Sequence, residues 1–161
     1  MAGTIVIERT DTIQTTPEAL LPYIAELPRW VEWSPWEGLD PALVELVQIR
    51  SSQLNGCAYC LHMHTSDARK AGESEERLHM IAVWREASAF FTDQERAALE
   101  LAEAVTLVSQ SGVPDTVYAN AAKHFDEPEL AQLLALIFTI NTWNRIALST
   151  AKVPGTDTRR R

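Results

Sequence analysis

The stretch DPALVELVQIRSSQLNGCAYCLHMHTSDARKAG, residues 40–72, decides the fold. Asp40-Pro41 reads as a helix start, an acceptor side chain followed by a residue whose fixed φ suits the first helical position. The helix is expected to run to about Leu54, where Asn55-Gly56 forms a terminating pair. A second helix is expected from Cys57 to about Ala71-Gly72. The two-residue turn between them makes the helices antiparallel neighbours, so the pair sets the frame for the rest of the chain.

The helical pattern continues on both sides. Thr16-Pro17-Glu18 opens an amphipathic segment with Leu20, Leu21, Ile24, Ala25 and Leu27, stopped at Pro28. Trp30, Trp33 and Trp36 share one side of a helical turn, as packing residues or as a cover over a ligand site. After residue 72, Ser74-Glu75-Glu76 caps a helix with Leu78, Ile81, Ala82 and Trp84. Thr92-Asp93-Gln94-Glu95 is a capping-box pattern before a long helix carrying Ala97, Leu99, Leu101, Ala102, Val105 and Val108. Pro114 starts a short helix. The last helix, from about Pro128 to Ser149, is apolar nearly all round (Leu133, Leu134, Leu136, Ile137, Phe138, Ile140), which implies burial by other subunits as well as by its own fold. Residues 1–16 are polar and β-branched and read as an extended arm, 17–152 as the helical domain, and 153–161 as a frayed tail. The expected fold is all-α, a bundle of about six or seven helices.

Composition narrows the function. The chain has 161 residues, one domain's worth, with 46% hydrophobic and 22% charged residues and a net charge of −8. An acidic protein does not wrap nucleic acid, and Arg159-Arg160-Arg161 is too short to change that. No apolar run approaches the roughly 18 residues of a membrane span, and the N-terminal residues have no signal-peptide core. A cytoplasmic protein is expected. Two cysteines cannot form a disulfide scaffold, but they sit together in Cys57-Ala58-Tyr59-Cys60.

Cys57, Cys60 and His64 stand at i, i+3 and i+7, one stripe of a helix that begins at Cys57. The free amides of a first helical turn favour a thiolate. His64, one turn beyond Cys60, can accept or relay a proton. Glu45 lies within the apolar run Leu43-Val44-Glu45-Leu46-Val47. A glutamate there ordinarily points to solvent, but the antiparallel hairpin brings Glu45 to the cysteine stripe, where a buried carboxylate serves as a general base. A dithiol with such a relay suits redox exchange. The same four side chains could instead ligate a metal, although structural zinc sites usually draw on two ligand pairs and no second pair is present. His62 is off the stripe, and His79 and His124 stand alone. A pair of small buried hydrophobes is the plainest alternative for the cysteines.

Glu45, eleven residues, Cys57, two residues, Cys60, three residues, His64: this arrangement resembles the active-site signature of the alkyl hydroperoxidase D (AhpD) proteins of the carboxymuconolactone decarboxylase superfamily. Similar text surrounds it, including Asn55-Gly56-Cys57, Val83-Trp84-Arg85-Glu86, Glu95-Arg96-Ala97-Ala98-Leu99 and Asn141-Thr142-Trp143-Asn144-Arg145. The likeness spans about residues 38–150. It implies an AhpD-like all-α bundle assembling as a trimer or hexamer. It also implies a thiol-dependent peroxidase or disulfide reductase with no cofactor beyond its redox-active cysteine pair. A peroxiredoxin partner, a lipoyl-bearing reductant and a hydroperoxide substrate follow from the same likeness. Carried over, Cys57 and Cys60 are the redox pair, and Glu45 and His64 the proton relay for Cys60. Tyr59 stands where some peroxidase members carry a second histidine, and the segment before Gly38 matches no family segment. The decarboxylase branch lacks the cysteine pair, so the superfamily's name is not the expected activity. A redox-sensing or binding module of low turnover, and a structural metal site, are the competing expectations.

Overall fold

Three of the four long helices begin where a side chain can receive their first free amides. In the computed structural model, which describes residues 36–156, Asp40 Oδ1 accepts from the amides of Ala42 (2.7 Å) and Leu43 (3.4 Å) and starts α1, Pro41–Leu54. α2 spans Ala58–Lys70 and α3 Glu75–Met80, capped by Ser74. α4, Asp93–Thr106, opens with the reciprocal Thr92–Glu95 capping box, and α7, Glu127–Ser149, with an Asp126–Glu129 box. Two short helices, α5 (Val108–Ser111) and α6 (Asp115–Ala121), join them. The described residues contain no strand. The all-α expectation holds. The arm at residues 1–16, the segment from Pro17 to Leu27, Trp30 and Trp33 lie outside the described residues, as do Arg159, Arg160 and Arg161.

The turns follow from glycine. After α1, Gly56 takes φ +67° while its amide donates to Gln53 O and the Cys57 amide to Ser52 O. The same double closure recurs after α2, with Gly72 at φ +97° and bonds from Gly72 to Arg69 and from Glu73 to Ala68. These are Schellman closures, which need a left-handed residue that glycine adopts without steric cost.

α1 is the axis of the bundle and packs against α2, α4 and α7. Its Leu43 and Val47 join Ala98 and Leu101 of α4 and Leu133, Leu136 and Ile137 of α7 in one core. Its Leu46 and Ile49 face a second core with Ala68, Leu78, Ile81 and Leu99. A third, smaller cluster holds Cys57 and Cys60 against Ile140 and Ala147 of α7.

Three expectations need adjusting. α2 begins one residue late, with Cys57 as its N-cap in an extended conformation (φ −87°, ψ 91°). The helix expected through Trp84 ends at Met80 and tightens into a 3-10 turn, Ile81–Val83. Three residues per turn brings Ile81 and Trp84 to one side, and both are buried. The long helix expected to include Val108 breaks at Leu107 (φ −100°, ψ 24°), leaving Val108 exposed. On α7, Leu133, Leu136, Ile137 and Ile140 are buried within the chain, but Phe138 (56%) and Leu148 (50%) are exposed.

Leu133 is fully buried at the centre of the larger core. Leu133→Ala should therefore lower unfolding free energy by about 2–5 kcal/mol in denaturant titration. Asp126→Ala, which removes only a cap, should cost about 1 kcal/mol.

Candidate active site

The α1–α2 hairpin brings the expected side chains together. Glu45, one turn into α1, meets His64, midway along α2: Glu45 Oε2 and His64 Nδ1 are 2.9 Å apart. Both are largely withdrawn from solvent, with side-chain exposures of 17% and 6%. One turn back along α2 is Cys60, and beyond it Cys57 at the N-cap. Both are thiols, and both are buried, at 2% and 1% exposure. No capping hydrogen bond involves the Cys57 side chain. The half-buried Tyr59 and Trp143 pack against the thiol cluster. Asp67, one turn beyond His64 and buried, completes a group with Glu45 and His64 whose candidate ligand atoms all lie within 4.8 Å of one another.

One face of α7 closes the site. Ile140 and Ala147 pack on the cysteines, and Asn144, fully buried between them, donates to Ser52 Oγ at 3.1 Å. The amide of Asn55, two residues before Cys57, donates to Asn141 Oδ1 and Asn144 Oδ1, each at 2.9 Å. Asn141 in turn donates to Thr106 Oγ1 and Ile137 O. A buried amide left unpaired costs about 1–3 kcal/mol, so this network fixes the turn that carries Cys57.

A family comparison bears on this geometry. The carboxymuconolactone decarboxylase family matches residues 24–104. The uncharacterized Bacillus subtilis protein YdfG is 48% identical over 105 residues, covering 65% of this chain and 71% of that protein. The chain belongs to the carboxymuconolactone decarboxylase family. Escherichia coli YnjA, also uncharacterized, is 37% identical over 99 residues, 62% of this chain and 53% of its own length. A crystal structure from Agrobacterium tumefaciens superposes with TM-score 0.76 at 34% identity, covering 88% of this chain and 94% of that one. That protein is of unknown function and a candidate antioxidant defence protein AhpD. The debrominase Bmp8 shares the fold at 20% identity, with TM-score 0.66 over 73% of this chain and 62% of its own.

Within this family member, the hairpin unites Glu45, His64, Cys57 and Cys60 in one region. His62 is exposed, His79 lies 3.9 Å from Glu75 on the surface, and His124 is elsewhere. Among the described residues, the candidate ligand atoms that lie within 4.8 Å of one another are those of Glu45, His64 and Asp67. Arg145 donates to Asn141 O (2.7 Å) and Asn141 Oδ1 (3.1 Å) one turn back on α7. Asp67 and the Asn55–Asn141–Asn144 network were not singled out by spacing. The signal for Asp67 was available: it continues the stripe at His64 plus three. The asparagines carried no such signal, because their partners lie more than 80 positions away.

Beneath the hairpin, Glu103 of α4 ties three elements together. It accepts from Arg50 Nε (2.7 Å), from Trp84 Nε1 (2.8 Å) and from Arg85. Burial pushes the Glu103 carboxyl up, but hydrogen bonds from Trp84, Arg85 and Arg50, with the Arg50 charge, outweigh it and hold the carboxyl below its ordinary value. A depressed folded-state value means this stabilisation is present above the unfolded-state titration and is lost as pH falls through the folded-state one. Glu103→Gln should therefore cost about 3 kcal/mol near neutral pH. It should also flatten the acid limb of the stability–pH curve, measured by denaturant unfolding across the carboxylate range.

Proposed function

We propose that this family member is a thiol-dependent oxidoreductase that reduces hydroperoxides, or protein disulfides, through Cys57 and Cys60, in antioxidant defence. The observation that supports it is the 2.9 Å Glu45–His64 pair with two buried thiols, Cys60 and Cys57, one and two turns back along α2. The likeness to a candidate antioxidant defence protein is consistent with it.

In the proposed cycle, His64 takes the Cys60 proton while Glu45 holds the other face of the imidazole. The Cys60 thiolate attacks the distal peroxide oxygen. The O–O bond breaks, Cys60 becomes a sulfenic acid, and the leaving alkoxide takes a proton from the relay. The Cys57 thiol then attacks Cys60 sulfur, water leaves, and a Cys57–Cys60 disulfide forms. A dithiol restores both thiols by exchange. Cys57, at the helix end, is the sulfur assigned to exchange with a reductant. A lipoyl-bearing protein or a peroxiredoxin fits that role, and no cofactor beyond the cysteine pair is needed. Among the described residues no helix is long and apolar enough to cross a membrane, and a cytoplasmic site of action is proposed. The exposed Phe138 and Leu148 on α7 support a homo-oligomer, a trimer or hexamer, built on that face.

Burial of both thiols favours one second reading, a redox sensor in which oxidation alters a partner contact with little turnover. Intact mass before and after one equivalent of an organic hydroperoxide, with a chelator present, tests the main proposal. A loss of about two daltons, reversed by a dithiol and abolished in Cys60→Ser, is the expected result. Disulfide formation without catalytic turnover by any dithiol would favour the sensor. No mass change, with stoichiometric metal in the native protein, would favour a structural metal site. In Cys57→Ser, Cys60 should still alkylate at neutral pH, and an inert Cys60 would reverse the assignment of roles. Phe138→Asp should lower the assembly state in sedimentation.

A further inference from the structure

The dithiol cycle uses Glu45 and His64 but leaves a third buried ionisable group beside them. Asp67 is 5% exposed. Its carboxylate lies within 4.8 Å of a Glu45 oxygen and of a His64 ring nitrogen. Two carboxylates and one imidazole therefore share a small space. We propose that Asp67 is a positioning residue for the proton relay, a second carboxylate that makes His64 the acceptor of the Cys60 proton. This inference rests on the thiol oxidoreductase reading.

The argument is one of charge. If Cys60 lost its proton to solvent, a thiolate would be added to a buried region already holding two carboxylates. Passing the proton to His64 leaves the total unchanged and creates a cation beside the two carboxylates. The S–H bond breaks, an N–H bond forms on the imidazole, and its positive charge faces Glu45 on Nδ1 with Asp67 alongside. When peroxide is cleaved, the same proton moves to the departing alkoxide and the imidazole returns to neutral. No proton is gained or lost overall. One carboxylate would orient the ring. The second strengthens the field that retains the proton until the oxygen leaves.

The neighbours are consistent with this. From α2, Lys70 Nζ lies 3.6 Å from Asp67 Oδ1, with its own side chain 70% exposed, so it screens Asp67 only from the solvent side. From α1, Glu45 also lines a cavity of about 260 Å³, with Ala42 opposite Ala71 and Gly72 at the open end of the hairpin. The other charges at that cavity are already engaged. Asp40 caps α1, and Glu73 accepts from the Ser74 amide and faces Arg77 at 3.7 Å. The carboxylate side of the relay thus faces the open end of the hairpin, and the thiols face α7.

The test is the pH dependence of Cys60 alkylation in the full chain carrying Cys57→Ser. Asp67→Asn is nearly isosteric. It should slow alkylation at neutral pH about tenfold, less than the roughly hundredfold expected on removing the acceptor itself, and move the pH profile to higher pH. Asp67→Glu should restore most of the rate. In a His64→Gln background, Asp67→Asn should add little, because the two act as one unit. An unchanged profile in folded Asp67→Asn overturns the proposal. So does an equal loss in both backgrounds, which would mark a purely structural role. If Asp67→Asn does not fold, Lys70→Met reports instead. Removing the exposed cation makes the group a better proton acceptor and should raise the neutral-pH rate about twofold at low ionic strength. No change there overturns the proposal. Failure of the dithiol reading itself would appear separately, as a wild-type protein that forms no Cys57–Cys60 disulfide with hydroperoxide.

Discussion

A carboxylate on one buried helix and an imidazole on the next can satisfy each other only if the helices are antiparallel, adjacent and in one register. Glu45 and His64 meet that condition at 2.9 Å. Everything near them follows. The register places Cys60 one turn from His64 and Cys57 at the turn, and it leaves Asp67 near the open end. Gly56, at φ +67°, lets the chain reverse within two residues, so the hairpin has little freedom to slide. Each polar group here is costly to bury alone. The packing of α1 on two sides keeps the pair where it is.

α7 plays two parts for the same reason. Its inner face offers apolar surface to the thiols at Ile140 and Ala147 and amides to the turn at Asn141 and Asn144. Alternation of apolar and amide side chains at helical spacing lets one face serve both. The Glu103 hub does similar work on the other flank. One carboxylate collects Arg50 from α1, Trp84 from the 3-10 turn and Arg85, and so holds three segments against α4.

Much of this was legible in the sequence because it is local. Caps, glycine turns and the i, i+3, i+7 stripe depend on neighbours within a turn or two, and from Asp40 to Gly72 the helices and turns fall as read except that α2 starts one residue later. Glu45 was placed by one further step, the shortness of the turn. Features set by distant partners were not legible. The 3-10 turn at Ile81–Val83 exists because Ile81 and Trp84 must both face inward. The break at Leu107 is likewise decided by tertiary packing. Helical spacing alone gives the same weight to a residue facing its own core and one facing outward, so it could not tell Phe138 from Ile137. Asp67 continues the stripe three residues beyond His64, but spacing alone does not separate a buried aspartate from a solvated one near a helix end.

The closure at Gly56 makes α1 a measuring rod. Glu45 must reach His64 while the far end of the same helix delivers Cys57 to the apolar cluster against α7. A single residue gained or lost between them would turn everything beyond it by about 100°. It would send either the carboxylate or the thiols to the wrong side. The length of the segment from Glu45 to Cys57 is therefore as much a part of the site as its side chains.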